Sequence, residues 1–114
     1  NWKAQEKKYK EVLANKSYSA AVRIAAIDNL KALKSIELPD RISPLLFDNP
    51  TLIKKKSADI LVFYDYFADL PELKKALNME KNSKTKAVLQ KAVKYLSPDK
   101  PKKIIKQNPQ GKKE

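Results

Sequence analysis

Val22-Arg23-Ile24-Ala25-Ala26-Ile27-Asp28-Asn29-Leu30 decides the fold, because it recurs along the chain. Set 31 positions on, Ile53-Lys54-Lys55-Lys56-Ser57-Ala58-Asp59-Ile60-Leu61 puts apolar, basic, small and apolar residues in the same register. A third copy, Thr85-Lys86-Ala87-Val88-Leu89-Gln90-Lys91-Ala92-Val93, follows at an offset of 32. Its first position is weaker, but its second is basic and its fifth and ninth are apolar. Just beyond the copies, Leu33, Tyr64 and Leu96 also align. Positions 22, 26, 30 and 33 lie in one stripe of a 3.6-residue period, as do 53, 57, 61 and 64. Each copy therefore reads as an amphipathic helix with one buried face.

A shorter helical stretch precedes each copy. The apolar residues are Trp2, Tyr9, Val12 and Leu13 in the first, Ile42, Leu45, Leu46 and Phe47 in the second, and Leu73, Ala76, Leu77 and Met79 in the third. Pro39 and Pro71 suit a first helical turn, where a missing N–H is no loss, while Asp48-Asn49-Pro50 and Asn82-Ser83 supply turn and cap chemistry. The reading is six helices in three pairs: 2–15 with 19–34, 39–47 with 51–67, and 71–79 with 83–96. One repeat domain thus spans 1–96, with repeats at about 2–34, 39–67 and 71–96. Residues 97–114, basic and Pro-containing, read as a loosely ordered tail.

Composition narrows the functions open to such a chain. At 114 residues it makes one domain with a single core. It has no His and no Cys, and its one Gly is Gly111, so imidazole and thiol chemistry and glycine-rich phosphate loops are all excluded. Hairpin turns also favour Gly, which points away from sandwiches and barrels. No apolar run approaches the roughly 20 residues that span a bilayer. The chain begins at Asn1 without Met, so a cytoplasmic chain and one exported to the bacterial cell envelope after leader removal both stay open.

The segment Pro44-Leu45-Leu46-Phe47-Asp48-Asn49-Pro50, followed by Ile53-Lys54 and Leu61, resembles a HEAT repeat of the short bacterial type found in bilin-attaching lyases, and the Val22-Arg23 helix matches better still. In that family an Asp closes the loop of each pair and the second helix opens with a Val-Arg pair. Here Asp48 lies five residues before Ile53 and Glu80 five before Thr85. Ser17 replaces the acid in repeat one and Thr85 the Val in repeat three, which leaves a continuous Asp-to-Arg ladder open. The resemblance implies an all-α fold, a right-handed α-α superhelix (solenoid) of about three HEAT-like helix pairs. It also implies that the second helices line an inner face that binds other macromolecules.

A 100° step per residue puts Ile24, Asp28 and Lys31 opposite the buried line through Ala26. Their equivalents are Lys55, Asp59, Val62 and Tyr66, then Ala87, Lys91 and Lys94. These form the expected contact ridge, with Tyr66 and Val62 as anchors and Asp28, Asp59 and Lys91 as polar rim. Alternatively, Tyr66 covers the loop to Asp69 and Pro71, or belongs to the general aromatic packing of Phe63-Tyr64-Asp65-Tyr66-Phe67. The net charge of +12 is unevenly spread: residues 1–16 carry +3, 17–70 zero, 71–96 +5 and 97–114 +4. Lys84, Lys86, Lys91, Lys94, Lys102 and Lys103 could therefore hold a nucleic acid or another polyanion. With only two Arg present, base-edge readout is not expected. A compositional bias toward lysine is the plainer account.

Some HEAT-like proteins act on damaged DNA through an acid and aromatics in a basic cleft. The ridge around Asp28 and Asp59 has neither a Trp nor an Arg cluster, and Trp2 reads as a cap on the stack. Asp65 and Asp69, spaced i, i+4 near a helix end, are too few to hold a divalent metal and read as solvated acids paired with lysines. The expectation is a non-catalytic protein–protein interaction scaffold, monomeric, with no metal and no cofactor. The alternative is nonspecific polyanion binding.

Overall fold

Asn1, Ser19 and Asn82 each accept, through a side-chain oxygen, the backbone N–H three residues on: that of Ala4, Val22 and Thr85 respectively. Each satisfies an otherwise orphaned donor, and a helix follows each. These are α1 (Trp2–Ala14), α2 (Ala20–Ala32) and α6 (Ser83–Leu96). Pro39 and Pro71 sit in the first turns of α3 (Leu38–Ile42) and α5 (Leu70–Met79). α4 (Thr51–Phe63) begins after Pro50. Short 3-10 segments, Ser43–Leu46 and Phe67–Asp69, follow α3 and precede α5. The structure is a computed structural model that describes residues 1–98. Among those residues there are no strands, and no helix is long and apolar enough to cross a membrane.

Some backbone features follow the spacing noted in the sequence. The residues capping the N-termini of α2, α4 and α6 are Ser19, Pro50 and Asn82, spaced by 31 and 32. After α2, Lys34 turns left-handed at φ 56° and Ser35 N–H donates to the Leu30 carbonyl; after α4, Asp65 at φ 50° and Tyr66 N–H to Leu61 repeat this 31 positions on. Both are glycine-type helix stops built without glycine. The stop at Asp65 ends α4 at Phe63 rather than at the expected 67.

α4 packs against both α2 and α6, while α1 lies on α2, α5 on α6, and α3 with its 3-10 segment on α4. One apolar core joins them, drawing on Leu13, Ile27, Leu30, Ile53, Leu61 and Leu89 among others. Two cross-pair contacts recur in register. Arg23, buried, donates through Nε to the Leu13 carbonyl (2.9 Å) and through Nη2 to Asn49 Oδ1 (3.0 Å). Its equivalent Lys54 reaches Glu80 Oε1 at 2.9 Å. Burial alone would raise the Glu80 carboxyl. The Lys54 ammonium and the backbone N–H groups of Asn82 and Lys81 outweigh that and hold it below its ordinary value.

One expected stripe is wrong in part. Stripe 53, 57, 61, 64 is buried or half-buried throughout, but in α2 Val22 and Leu33 are exposed and Arg23 and Ile27 are buried instead. The reason lies in position along the fold. α6 differs from α2 in having an equivalent helix, α4, packed before it. Thr85 and Leu96, the equivalents of Val22 and Leu33, are both 0% exposed, against 45% and 38%.

Candidate functional site

The ridge residues on α4 and α6 do converge. Asp59 and Val62 of α4 and Lys91 of α6 line one groove of about 410 Å³, together with Ala58, Val88, Ala92 and Tyr95. The local cause is the helical period: Ala58 and Val62 are four apart, as are Val88 and Ala92, so each helix offers a small and a branched apolar side chain. Asp59 and Lys91 are exposed along it, and Lys94 is exposed farther along α6.

On α2 the ridge is partly used up. Ile24 and Val62 are both half-buried and pack against the core, which corrects their placement as fully outward contact residues, although Val62 also lines the groove. Asp28 pairs with Lys56 Nζ at 3.0 Å, and Lys31 Nζ sits 4.4 Å from the Phe63 ring centroid, a cation–π contact. Both tie α2 to α4. Lys55 is half-buried on α4. Asp59 and Lys91 therefore stand in the groove while their α2 counterpart Asp28 is committed to holding helices together.

Tyr66 is not a ridge anchor. The left-handed turn at Asp65 breaks the 100° projection, so Tyr66 falls in the connection to α5, half-buried against the core, and its hydroxyl donates to Asp40 of α3. That bond raises the phenol above its ordinary value, with desolvation adding to it. The alternative reading, in which Tyr66 covers the loop, fits this placement. Trp2, Tyr18 and Phe67 are exposed elsewhere; on α4 and α6 the exposed aromatics are Phe63, 54% exposed, and Tyr95, which stands 32 positions later. Tyr95 donates to the Asp65 carboxylate, which raises it too. Neither was singled out from the sequence, although their recurrence one place beyond Val62 and Lys94 was available there.

Asp65 and Asp69 are also not the solvated pair expected. Asp69, 6% exposed, ends the 3-10 segment and accepts from Ser43 Oγ at 2.7 Å, while its Oδ2 has no partner among the described residues. Burial pushes its carboxyl up, Ser43 pulls it down, and the nearby Glu72 and Asp40 charges push it up further; the net direction is up. No group of three or more carboxylates among the described residues is placed to hold a metal ion.

Of the residues assigned to anion binding, Lys84, Lys86, Lys91 and Lys94 are all exposed on α6, which carries no acid. None of the four is in an ion pair among the described residues. Lys102 and Lys103 lie outside the described residues. No protein-family model, curated protein or solved structure matches this chain.

Proposed function

We propose that this chain is a non-catalytic protein–protein interaction scaffold: three HEAT-like helix pairs stacked as a small right-handed α-solenoid, with a partner held on the face of α2, α4 and α6. The stacked reading is supported by features that recur at spacings of 31 or 32, namely the caps at Ser19, Pro50 and Asn82, the turns at Lys34 and Asp65, and the contacts Arg23–Asn49 and Lys54–Glu80. A helix pair of this size covers its apolar stripe only through neighbours, so such recurrence is what stacking requires. The observation that carries the functional reading is the groove between α4 and α6, an apolar floor flanked by Asp59 and Lys91. Apolar floors with polar rims are the usual make-up of a protein interface. The non-catalytic reading rests on a composition without His or Cys.

Val62→Asp tests it. Proteins retained by the immobilised chain are identified alongside those retained by the variant. The expected result is one or a few proteins lost with Val62→Asp at a temperature where melting curves show both chains folded, since Val62 is half-buried against the core and the substitution lowers the melting temperature as well. Retention indifferent to the substitution would overturn the reading. The four exposed lysines of α6, none of them in an ion pair among the described residues, favour a second reading, nonspecific polyanion binding. It predicts binding to mixed-sequence duplex DNA that collapses between 50 and 200 mM salt, on the order of 10³-fold for six phosphate contacts.

A further inference from the structure

The outward positions of the three second helices change sign along the fold. Position 28 is Asp, its equivalent 59 is Asp, and 91 is Lys; positions 31, 62 and 94 are Lys, Val and Lys. Of the charges on α2, Asp28 is neutralised by Lys56 and Lys31 is spent on Phe63. On α6, Lys84, Lys91 and Lys94 are exposed, with no carboxylate on their own helix and no ion pair among the described residues. The groove beside them is apolar at its base, through Ala58, Val62, Val88 and Ala92. Its volume of about 410 Å³ lies in the range of pockets that seat small groups of side chains. The groove itself holds one cation, Lys91, and one acid, Asp59, over an apolar floor, and the exposed Lys94 and Lys84 extend the positive charge along α6 beyond it.

We infer that the groove between α4 and α6 receives an acidic amphipathic helix of a partner protein, with aliphatic side chains entering between Val62 and Val88 and carboxylates meeting Lys91 and Lys94. This rests on the scaffold reading and names the partner's chemistry. A groove between two packed helices suits the i, i+3, i+4 apolar line of a helix. The exposed lysines select the charge of that helix's flank. Duplex DNA would satisfy the lysines but has no aliphatic side chains to put on the floor, so the apolar base favours protein over nucleic acid. Asp59 repels an acidic occupant and tunes how tightly it sits.

The experiment uses a designed acidic helix of Glu and Leu with leucines at i, i+3, i+4 and i+7, labelled with a fluorophore and titrated with the full chain at about 50 and 300 mM salt. A scrambled peptide of the same composition and a mixed-sequence DNA duplex run beside it. Saturable binding of the designed helix is expected, at least about tenfold tighter than the scramble. Val62→Asp and the double variant Lys91→Glu with Lys94→Glu should each weaken it about tenfold or more, and Asp59→Asn should tighten it about twofold or more. Melting curves of all variants check that they fold. Equal binding of helix, scramble and DNA would overturn the inference in favour of the polyanion reading, as would variants that bind like the native chain. If the helix fails to bind while Val62→Asp still abolishes retention of a protein, the inference falls and the scaffold reading stands.

Discussion

Asn49 shows how one side chain can be required by the number of roles it fills. Its Oδ1 accepts from buried Arg23, while its Nδ2 donates to the Leu45 and Phe47 carbonyls at 3.3 and 2.7 Å. An Asp here would pair better with the guanidinium but could not donate, leaving two carbonyls short. Asp69 is the opposite case, a carboxylate where a neutral amide would serve. Because its carboxyl is raised, the folded chain holds that proton more tightly than the unfolded chain does. Ionised Asp69 therefore costs stability at neutral pH, and the cost disappears as pH falls through the raised value toward the ordinary 3.8. Glu80 has the reverse sign: its lowered carboxyl stabilises above its ordinary value and that support is lost as pH falls through the lowered one. Asp69→Asn keeps an acceptor for Ser43 and removes the charge. Urea denaturation should show it about 1 kcal/mol or more above the native chain at pH 7, the gap narrowing toward pH 4. A gap that does not change with pH would place the titration elsewhere.

At the scale of the element, the helix stops are the informative parts. Left-handed backbone costs an L-residue roughly 1–2 kcal/mol, and this chain accepts it at Lys34, Asp48 and Asp65 with no glycine in the described part. The hydrogen bonds of Ser35 and Tyr66 to carbonyls at the ends of α2 and α4 offset part of that cost. Lys34, exposed and in no ion pair among the described residues, is the clean place to measure it. Lys34→Gly should raise stability by about 1 kcal/mol, read as a shift in the urea midpoint at unchanged slope. Lys34→Val should lower it, because a β-branched side chain tolerates that backbone least.

For the whole molecule, the same sequence position means different things in different repeats. Val22, Ile53 and Thr85 share a register, yet Val22 is 45% exposed and the other two are fully buried, as Ile53 gains α2 as a neighbour and Thr85 gains α4. Val22→Ala and Leu33→Ala should each change stability by less than about 0.5 kcal/mol. Ile53→Ala and Leu96→Ala should cost about 2–5 kcal/mol each, by denaturant titration. Comparable losses at all four positions would mean that α2 is covered on its outer side.

The helical class, the number and spacing of the helices, and the second-helix positions of the groove were all legible in the residue order. They follow from local causes: a 3.6-residue period, capping side chains and prolines in first turns act over a few residues and need no knowledge of neighbours. Asp59, Val62 and Lys91 could be placed on one side for that reason. Where the period stops is not readable, because Asp65 takes a left-handed conformation that the local pattern does not demand, held in part by the Tyr66 N–H bond to the Leu61 carbonyl. Tyr66 was misplaced on that account, and Asp69 was taken for a solvated acid. Burial of Val22, Ile24 and Leu33 depends likewise on which helix lies alongside, a property of the assembled chain that no single repeat contains.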